Sequence, residues 1–579
     1  MTSVPTGSVD LILHRGVVHT VDGQDRIAEA IAVAGGRIVA VGDSAQVLQL
    51  AGPATRVVDL EGRAVVPGFV DAHPHLDSVG ARLIKPAFER PVAIGQVLDV
   101  IRDEVARRAT GEWIVCNPIA EEPDALRYPQ QLREGRWPTR NDLDPVSPDH
   151  PVYIEPPSLV APGAAILNTA ALRAARIGRD TPMPDGVQML LGSDGQPNGV
   201  FLDYNFPKRL PIVDGGYDPA ASLFPGLPGL DAAQLRRAVA AGVRAFNSAG
   251  VTAIYEGHGI PAGPQRAYLD LWHDGELTVR TYFVISYPVS CYRDLQRGEE
   301  LIRHTARYAA GNGFGDPLLK FGGLGFSFDS AAAMGACLMR EPYVGAQGKP
   351  WHGVQLPDDD TFRQIVLRCA QAGLRVQVQC SGGAAIDKVL AIYRDVDRQI
   401  PIRGKRWTIQ HCQFPSAQNM ADCRELGVVA TTTTNFLWLY GSVYLRSFGE
   451  ALAHDSIPFR RWMDAGVTVA QCTDGRPYEP MFAFWQMLAR KDSITGRELT
   501  TPAQQLTRAQ ALRAYTLNGA IAAFWERDIG SLECGKQADL VVLSDDIMRI
   551  DRDRIPETRV LATLLSGRPV HDQGIFRFT

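Results

Sequence analysis

The stretch VVPGFVDAHPHL at residues 65–76 is an apolar run that ends in two histidines, His73 and His75. The apolar residues predict a buried β-strand over 65–71. Residues two apart in a strand face the same side, so the two imidazoles are expected to converge at its carboxyl end. Exposed loop histidines also occur by chance in this spacing. The position directly after a buried strand favours a pair of ligands for a divalent metal ion.

Seven further strands are predicted along the chain, and helices are predicted between most of them, for example over 359–372 and 382–397. The seven strand candidates are 250–256, 278–285, 317–322, 374–380, 406–412, 428–434 and 466–472. Eight β/α units predict an α/β protein with a closed parallel (β/α)8 TIM barrel, whose functional groups lie at the strand carboxyl ends. A doubly wound open sheet is the alternative, but no Gly-rich phosphate loop follows the first strand.

Both ends of the chain alternate apolar and polar residues between glycine-containing turns. This pattern predicts that residues 1–67 and 525–579 pair into a small β-sandwich, which flanks a barrel at 68–524. The first and second strands are separated by about 180 residues, too many for a structureless loop. Their Pro-rich part, at about 112–207, predicts a subdomain inserted after the first strand and lying over the barrel mouth.

The composition of the 579-residue chain is that of an ordinary globular protein, with 45% hydrophobic and 21% charged residues. A formal net charge of −5 provides no basic surface for nucleic acid or an anionic membrane. The apolar runs are too short for a transmembrane helix, and the N-terminal residues lack a secretory pattern. The nine cysteines include no CxxC pair, which argues against a disulfide framework and favours a reducing compartment. We therefore expect a cytoplasmic protein that acts on a small molecule.

Two more polar residues end predicted strands: His411 ends the sixth in WTIQHCQ, and Asp474 ends the eighth in VAQCTDGRP. Either one alone is as well explained as a satisfied polar residue at a strand end. Together with the histidine pair they give three imidazoles and a carboxylate at one barrel rim, a donor set suited to zinc. Asp474 is also the candidate general base. Lys320, in PLLKFGG of the fourth strand, is either a snorkelling surface residue or an interior lysine that must be neutralised, for example by carbamylation.

On these motifs the chain resembles the amidohydrolase superfamily, in the branch that includes N-substituted formamide deformylases and D-aminoacylase-like proteins. The resemblance covers nearly the whole length, and its most specific motifs are VVPGFVDAHPHL at 65–76 and GSLECGKQADLVVLS at 530–544. It implies a barrel with a sandwich built from both chain ends, and a metal-activated water that attacks a carbonyl carbon. By the resemblance, His73, His75 and Asp474 match the ligands of one metal ion. Lys320 matches a carboxylated lysine that bridges two ions, and His411 matches a ligand of the second ion.

Three positions depart from the family pattern. Gln379 stands where the resemblance places a fifth-strand ligand histidine, Leu324 stands where an acidic residue is usual, and Gly163 lies in a run that should contain a histidine. An amide oxygen is a poorer zinc ligand than an imidazole. Gln379 is therefore a candidate for either metal or substrate contact, and one or two metal ions per chain are expected.

Candidates for the substrate pocket follow the second and seventh strands. They are Glu256, His258, Phe436, Trp438 and Tyr440. Aromatic residues more often pack than bind ligands, and the polar pair is equally typical of ordinary loop residues. An aromatic mouth without an obvious arginine cluster favours a small, fairly apolar substrate.

Three functions are compatible with these residues. The first is a metal-dependent hydrolase that cleaves the C–N bond of an amide or formamide. The second is a non-hydrolytic lyase, hydratase, decarboxylase or isomerase with a reduced metal site, which the three departures motivate. The third is a ligand-binding pseudoenzyme, against which the retained histidines and aspartate argue. A homodimer is expected from the resemblance alone.

Overall fold

Eight parallel strands form the central barrel of the computed structural model, which describes residues 9–157, 159–183, 186–204, 227–345 and 348–576. From the first to the eighth barrel strand, the bounds are Phe69–Asp71, Val251–Ile260, Arg280–Ser286, Leu319–Ser327, Val376–Cys380, Thr408–His411, Val429–Thr432 and Val469–Gln471. Strands consecutive in this order pair in parallel. The eighth meets the first where Ala72 N donates to Gln471 O at 3.2 Å. The predicted barrel is confirmed, and each predicted strand overlaps its barrel strand.

The predicted strand 65–71 is divided between two sheets. Ala64–Pro67 pairs antiparallel with Leu540–Leu543 outside the barrel, whereas Phe69–Asp71 belongs to the barrel. Gly68 lies at the junction, where a Cβ atom would overlap the side chain of Thr252. The chain therefore passes directly from the sandwich into the strand that leads to His73.

Helices follow most barrel strands. Their bounds are Leu76–Ile84, Ile94–Arg107, Ala232–Ser248, Ala262–His273, Leu295–Ala309, Asp359–Gln371, Gly383–Asp397, Ala417–Leu426, Asn435–Asp455, Phe459–Asp464, Pro480–Ala489, Arg508–Ala514 and Leu517–Ala522. In Asp359–Gln371 the buried residues Phe362, Ile365, Val366 and Cys369 recur at helical spacing, and Asp358 caps the amino end. The helices predicted over 359–372 and 382–397 are confirmed. Among the described helices, none has the length and apolarity that a bilayer crossing requires.

The two chain ends share one sheet. Its six strands, in spatial order, are Arg568–Asp572, Val560–Leu565, Leu540–Leu543, Ala64–Pro67, Val17–His19 and Ile27–Ala28. A second sheet of four strands comes from the N-terminal segment alone, in the order Arg37–Gly42, Ala30–Ala34, Leu11–His14 and Arg56–Asp59. A common apolar cluster, with members such as Leu13, Ile31 and Val542, joins the two sheets. The boundaries at 67/68 and 524/525 stay predictions.

A separate five-stranded sheet lies between the first and second barrel strands. Its order is Val187–Leu191, Pro197–Asp203, Gly163–Leu167, Val152–Ile154 and Ile114–Cys116. The sheet encloses its own apolar cluster, which includes Ile101, Ile154 and Ile166. The exact extent of this insertion stays a prediction, and its expected last residues, 205–207, lie outside the described part of the chain.

Candidate metal centre

Three side chains from different strands meet at the carboxyl end of the barrel. His73 follows the first barrel strand, His411 ends the sixth and Asp474 follows the eighth, and one possible ligand atom from each lies within 4.8 Å of the others. His75 joins them, since its Nε2 lies 3.1 Å from Asp474 Oδ1 and 3.1 Å from His73 Nε2. The structure therefore brings together the four groups that the sequence predicts to converge.

Three of these four residues have a left-handed backbone. The φ angles are +50° at His75, +64° at His411 and +55° at Asp474. This region is sparsely populated for residues with a Cβ atom, and such strain concentrates at functional sites. At His411 it also ends the alternation of the strand, because Gln410 and His411 are both buried towards the centre.

Asp71 ties the ends of the first and eighth strands together. This fully buried carboxylate accepts hydrogen bonds from the Thr473 hydroxyl, from Thr473 N at 3.1 Å and from His73 N at 3.1 Å. Burial raises its pKa to about 6. One side chain thus holds both His73 and Thr473, which is the neighbour of Asp474 in the chain.

Gln410 orients the imidazole of His73. Its Oε1 lies 3.0 Å from His73 Nδ1, and both side chains are fully buried. In this arrangement Nδ1–H donates to the amide oxygen, so Nε2 carries a lone pair that faces Asp474. The contact between Gln410 and His73 was not predicted from the sequence, although a polar residue inside a barrel strand is a signal that could have indicated it.

Burial opposes protonation of the three imidazoles. It lowers the pKa of His411 to about 3 and lowers that of His73 as well. Burial also opposes charge on His75, but the hydrogen bond with Asp474 and nearby carboxylates raise its pKa. Burial acts to raise the pKa of Asp474, yet its contacts with the imidazoles of His73 and His75 hold that pKa well below its ordinary value. At neutral pH the imidazoles of His73 and His411 are therefore neutral and lie beside an ionised Asp474.

This donor set fits a divalent cation. His73 Nε2 lies 3.2 Å from Asp474 Oδ1, and with the Gln410 hydrogen bond in place these are two lone-pair acceptors facing one another. A cation between them removes the repulsion. Donor atoms bound at 2.0–2.1 Å to one tetrahedral zinc ion are about 3.4 Å apart, close to the separations found here.

The centre opens into a cavity of about 710 Å³, a volume that includes the open solvent at its mouth. His75, His411 and Asp474 belong to its lining. The other described lining residues are apolar (Leu159, Ala331, Ala332, Phe436), polar (Ser78, Gln379, Ser381, Gln413) and cationic (Arg82, Arg476). The two arginines contrast with the sequence expectation of a mouth that lacks an arginine cluster.

Lys320 is not near this centre, and its expected role as a metal ligand is corrected. It is the second residue of the fourth barrel strand, Leu319–Ser327, so it lies near the amino end while the centre lies at the carboxyl ends. Its Nζ lies 5.7 Å from the ring centroid of Trp525. Partial burial lowers its pKa. The side chain thus packs at the far end of the barrel.

The aromatic candidates separate into one lining residue and two packing residues. Phe436 lines the cavity and stacks on His411, with ring centroids 5.6 Å apart. Trp438 packs against Trp485 at 5.5 Å, and Tyr440 packs against Phe436 at 5.7 Å. The segment that follows the seventh strand is the helix Asn435–Asp455, in which apolar residues recur at helical spacing.

The remaining candidates have different positions. Glu256 is 1% exposed, and its Oε1 accepts a hydrogen bond from Leu76 N at 3.1 Å, so it supports the chain after His75 rather than lining the cavity. Burial raises its pKa to about 8. Gln379 does line the cavity, and its Oε1 accepts a hydrogen bond from Ser327 Oγ at 3.0 Å. The side chain of His258 lies outside the described residues.

Comparison with known proteins agrees with this geometry. A family model described as "Amidohydrolase family" matches residues 56–571. N-substituted formamide deformylase of Arthrobacter pascens is 28% identical over 96% of this chain and 97% of its own. The putative amidohydrolase YtcJ of Bacillus subtilis is 23% identical over 97% of this chain and 99% of its own. Among solved structures, an uncharacterized metal-dependent hydrolase from Pyrococcus furiosus has the same fold, with a TM-score of 0.70 at 19% identity over 93% of this chain and 100% of its own.

Proposed function

The chain belongs to the amidohydrolase family, and from that premise we propose that it is a metal-dependent hydrolase that cleaves the C–N bond of a small amide or formamide. The observation that carries the proposal is the convergence of His73, His411 and Asp474 within 4.8 Å beside an open cavity. The relative from Arthrobacter pascens, a formamide deformylase by name, supports the choice of bond.

The proposed reaction assigns a role to each of the chain's own groups. His73, His75 and Asp474 would hold the cation, and neutral His411 offers a further nitrogen to the cation or to the substrate. A divalent cation bound there supplies Lewis acidity, which makes water a better nucleophile and polarises a carbonyl. Asp474 accepts a proton as the water oxygen bonds to the carbonyl carbon. The C–N bond then breaks, the proton passes to the departing nitrogen, and the products are a carboxylic acid and an amine.

We propose a single zinc ion per chain. Three imidazoles and one carboxylate form a donor set suited to zinc. Lys320 lies near the other end of the barrel, and Gln379 offers only an amide oxygen that already accepts a hydrogen bond from Ser327. A second ion would have to bind without a bridging lysine and without a fifth-strand histidine, the two groups that the family pattern adds to His411.

The test combines metal content with product analysis. Elemental mass spectrometry on protein purified without chelators should give about one zinc per chain, and a panel of amides and formamides should release amine and acid in equal amounts. Asp474→Asn should abolish turnover, whereas the matched control Asp464→Asn, at an exposed ion pair with Arg460, should not. Active protein with no bound metal would contradict the metal-dependent mechanism. Turnover of non-amide substrates alone would instead favour the lyase or isomerase alternative.

We also propose a cytoplasmic location and a small-molecule substrate. All nine cysteines carry free thiols, and eight of them are buried, which suits a reducing compartment. The homodimer stays a prediction.

A further inference from the structure

A fully buried arginine lies at the amino end of the barrel, opposite the metal centre. Arg375 comes directly before the fifth barrel strand, Val376–Cys380, and is 1% exposed. Its Nε donates to Arg406 O at 2.7 Å, whereas Nη1 and Nη2 have no hydrogen-bond partner of ordinary geometry among the described residues. We propose that these two nitrogens bind a small monovalent anion, with chloride as its simplest form, inside the barrel. Such a site is separate from the hydrolytic centre and does not depend on it.

Neutral aromatic rings surround the guanidinium group. Its Cζ lies 5.0 Å from the ring centroid of Tyr255, 5.7 Å from that of Tyr282 and 5.0 Å from that of Phe524. Aromatic faces attract a cation, but they accept N–H groups more weakly than a carbonyl or an anion does. Burial raises the pKa of both phenols, so neither tyrosine provides a negative charge at neutral pH. The rings therefore lower the cost of burying Arg375 without supplying a counter-charge.

The carboxylates at this end of the barrel are paired with other arginines. Asp539 Oδ2 lies 2.6 Å from Arg280 Nε, and Glu526 Oε1 lies 2.7 Å from Arg406 Nη2. Within the described part of the chain, neither of these carboxylates nor any other pairs with Arg375. A buried charge without a partner is strongly unfavourable, and a bound counter-ion offsets that cost.

Other buried groups in this part of the interior are also donors without acceptors. Gln377 lies two residues further along, on the same face, and its Oε1 accepts from the Tyr255 hydroxyl, which leaves Nε2 without a partner in the described chain. Trp525 Nε1 has none there either, and the Trp525 ring lies 6.0 Å from that of Tyr282. Lys320 Nζ, 5.7 Å from the Trp525 centroid, adds a second positive charge. An indole and a guanidinium can only donate hydrogen bonds, so a negatively charged acceptor suits this set better than a neutral molecule does.

The burial of the site favours an anion that is small and carries one charge. A multiply charged anion such as phosphate would lose more hydration than one buried guanidinium returns. Chloride accepts from donors in any direction, so it could contact Nη1 and Nη2 together with a neighbouring amide or indole N–H. Gluconate is also a monovalent anion, but it is too large for the barrel interior and therefore provides the reference ion.

The experiment measures Tm while sodium chloride replaces sodium gluconate at constant ionic strength. The Tm of the wild type should rise with chloride, because an ion that binds the folded chain alone stabilises it by mass action. With chloride at roughly 100 times its dissociation constant, the rise should be roughly 2 °C for a chain of this size. Equal Tm values in chloride and gluconate would overturn the inference.

Variants at Arg375 assign the effect to this position. Arg375→Met should abolish the chloride-dependent rise, and in gluconate its Tm should be no lower than that of the wild type, because the uncompensated buried charge is gone. Arg375→Lys should retain part of the rise. The control Arg90→Met removes an exposed arginine that pairs with Asp124 and should retain all of it. A chloride response that persists in Arg375→Met would place the ion elsewhere on the protein and overturn the inference.

A direct observation on the wild type covers the case in which the methionine variant does not fold. Crystals soaked in sodium bromide should show an anomalous scattering peak within hydrogen-bonding distance of Arg375 Nη1 or Nη2. Bromide found only at the protein surface would contradict the site. Neither measurement uses turnover, so a protein that hydrolyses no amide could still show the anion site, and an active hydrolase could lack it.

Discussion

Replacing Gln410 by leucine should weaken metal binding roughly 10- to 100-fold, although Gln410 is itself not a ligand. The amide oxygen lies 3.0 Å from His73 Nδ1, and both groups are fully buried. Leucine has a similar size but accepts no hydrogen bond. The buried N–H of His73 would lose its partner, at a cost of about 1–3 kcal/mol, or the ring would turn its lone pair away from Asp474. Either outcome lowers the affinity for the cation.

Competition with a chromophoric zinc chelator measures this affinity without reference to turnover. Gln410→Glu provides the opposite change, because a carboxylate makes a charge-assisted acceptor about twice as strong as an amide. It should tighten zinc binding relative to the wild type and increase the basicity of His73.

The matched control is Gln471→Leu. Gln471 is another fully buried amide of the barrel interior, and its Nε2 donates to Cys472 O at 2.6 Å rather than to a histidine. Its replacement should leave the zinc affinity within about two-fold of the wild type. The reasoning fails if Gln410→Leu binds zinc as tightly as the wild type, or if both leucine variants lose affinity equally, which would indicate a general packing defect.

Three further outcomes are expected. Lys320→Met should keep its full metal content by elemental analysis, because Lys320 packs against Trp525 near the amino ends of the strands; loss of metal would restore the bridging role. Asp71→Asn should lower the free energy of unfolding by about 2 kcal/mol in chemical denaturation, since an amide group replaces one oxygen that accepts from Thr473; an unchanged midpoint would contradict this. Burial acts to raise the pKa of Asp142, but hydrogen bonds from Arg136 and Thr139 hold it at about 2, below the ordinary 3.8. The stabilisation that Asp142 contributes is therefore complete above about pH 4 and is lost as the pH falls towards 2. After solvent screening it amounts to about 1 kcal/mol. Asp142→Asn should flatten the fall in Tm over this range.

The barrel could be predicted because apolar strand runs alternate with helices in a regular order, and the candidate ligand residues directly follow those runs. For the fourth strand, the sequence pattern predicts the wrong end. The sequence suggests an end at residue 322, inside the FGGLG stretch at 321–325, which places Lys320 near the carboxyl end. The strand continues to Ser327, with an irregular register near Gly323, whose φ is +83° and whose Cβ would overlap Arg375.

Other features depend on contacts that no local pattern encodes. Gln410 and His411 are adjacent in a strand, and ordinary alternation would point them to opposite faces. The left-handed φ at His411 lets both contribute to the centre. Arg82 and Arg476 are far apart in the chain and meet because the first and eighth strands close the barrel. The cavity that they share forms only when the barrel closes, so neither segment alone indicates it.

The sheet shared by the two chain ends has a consequence for biosynthesis. Ala64–Pro67 pairs with Leu540–Leu543, so the partners are separated by roughly 470 residues of intervening chain, and at 5–20 residues per second they are synthesised about 25–90 seconds apart. Ala64–Pro67 can pair early with Val17–His19 on one side, but its neighbour on the other side, Leu540–Leu543, is synthesised much later. During that interval an apolar strand edge is available to other nascent chains, which exposes this half-built sheet to misassembly.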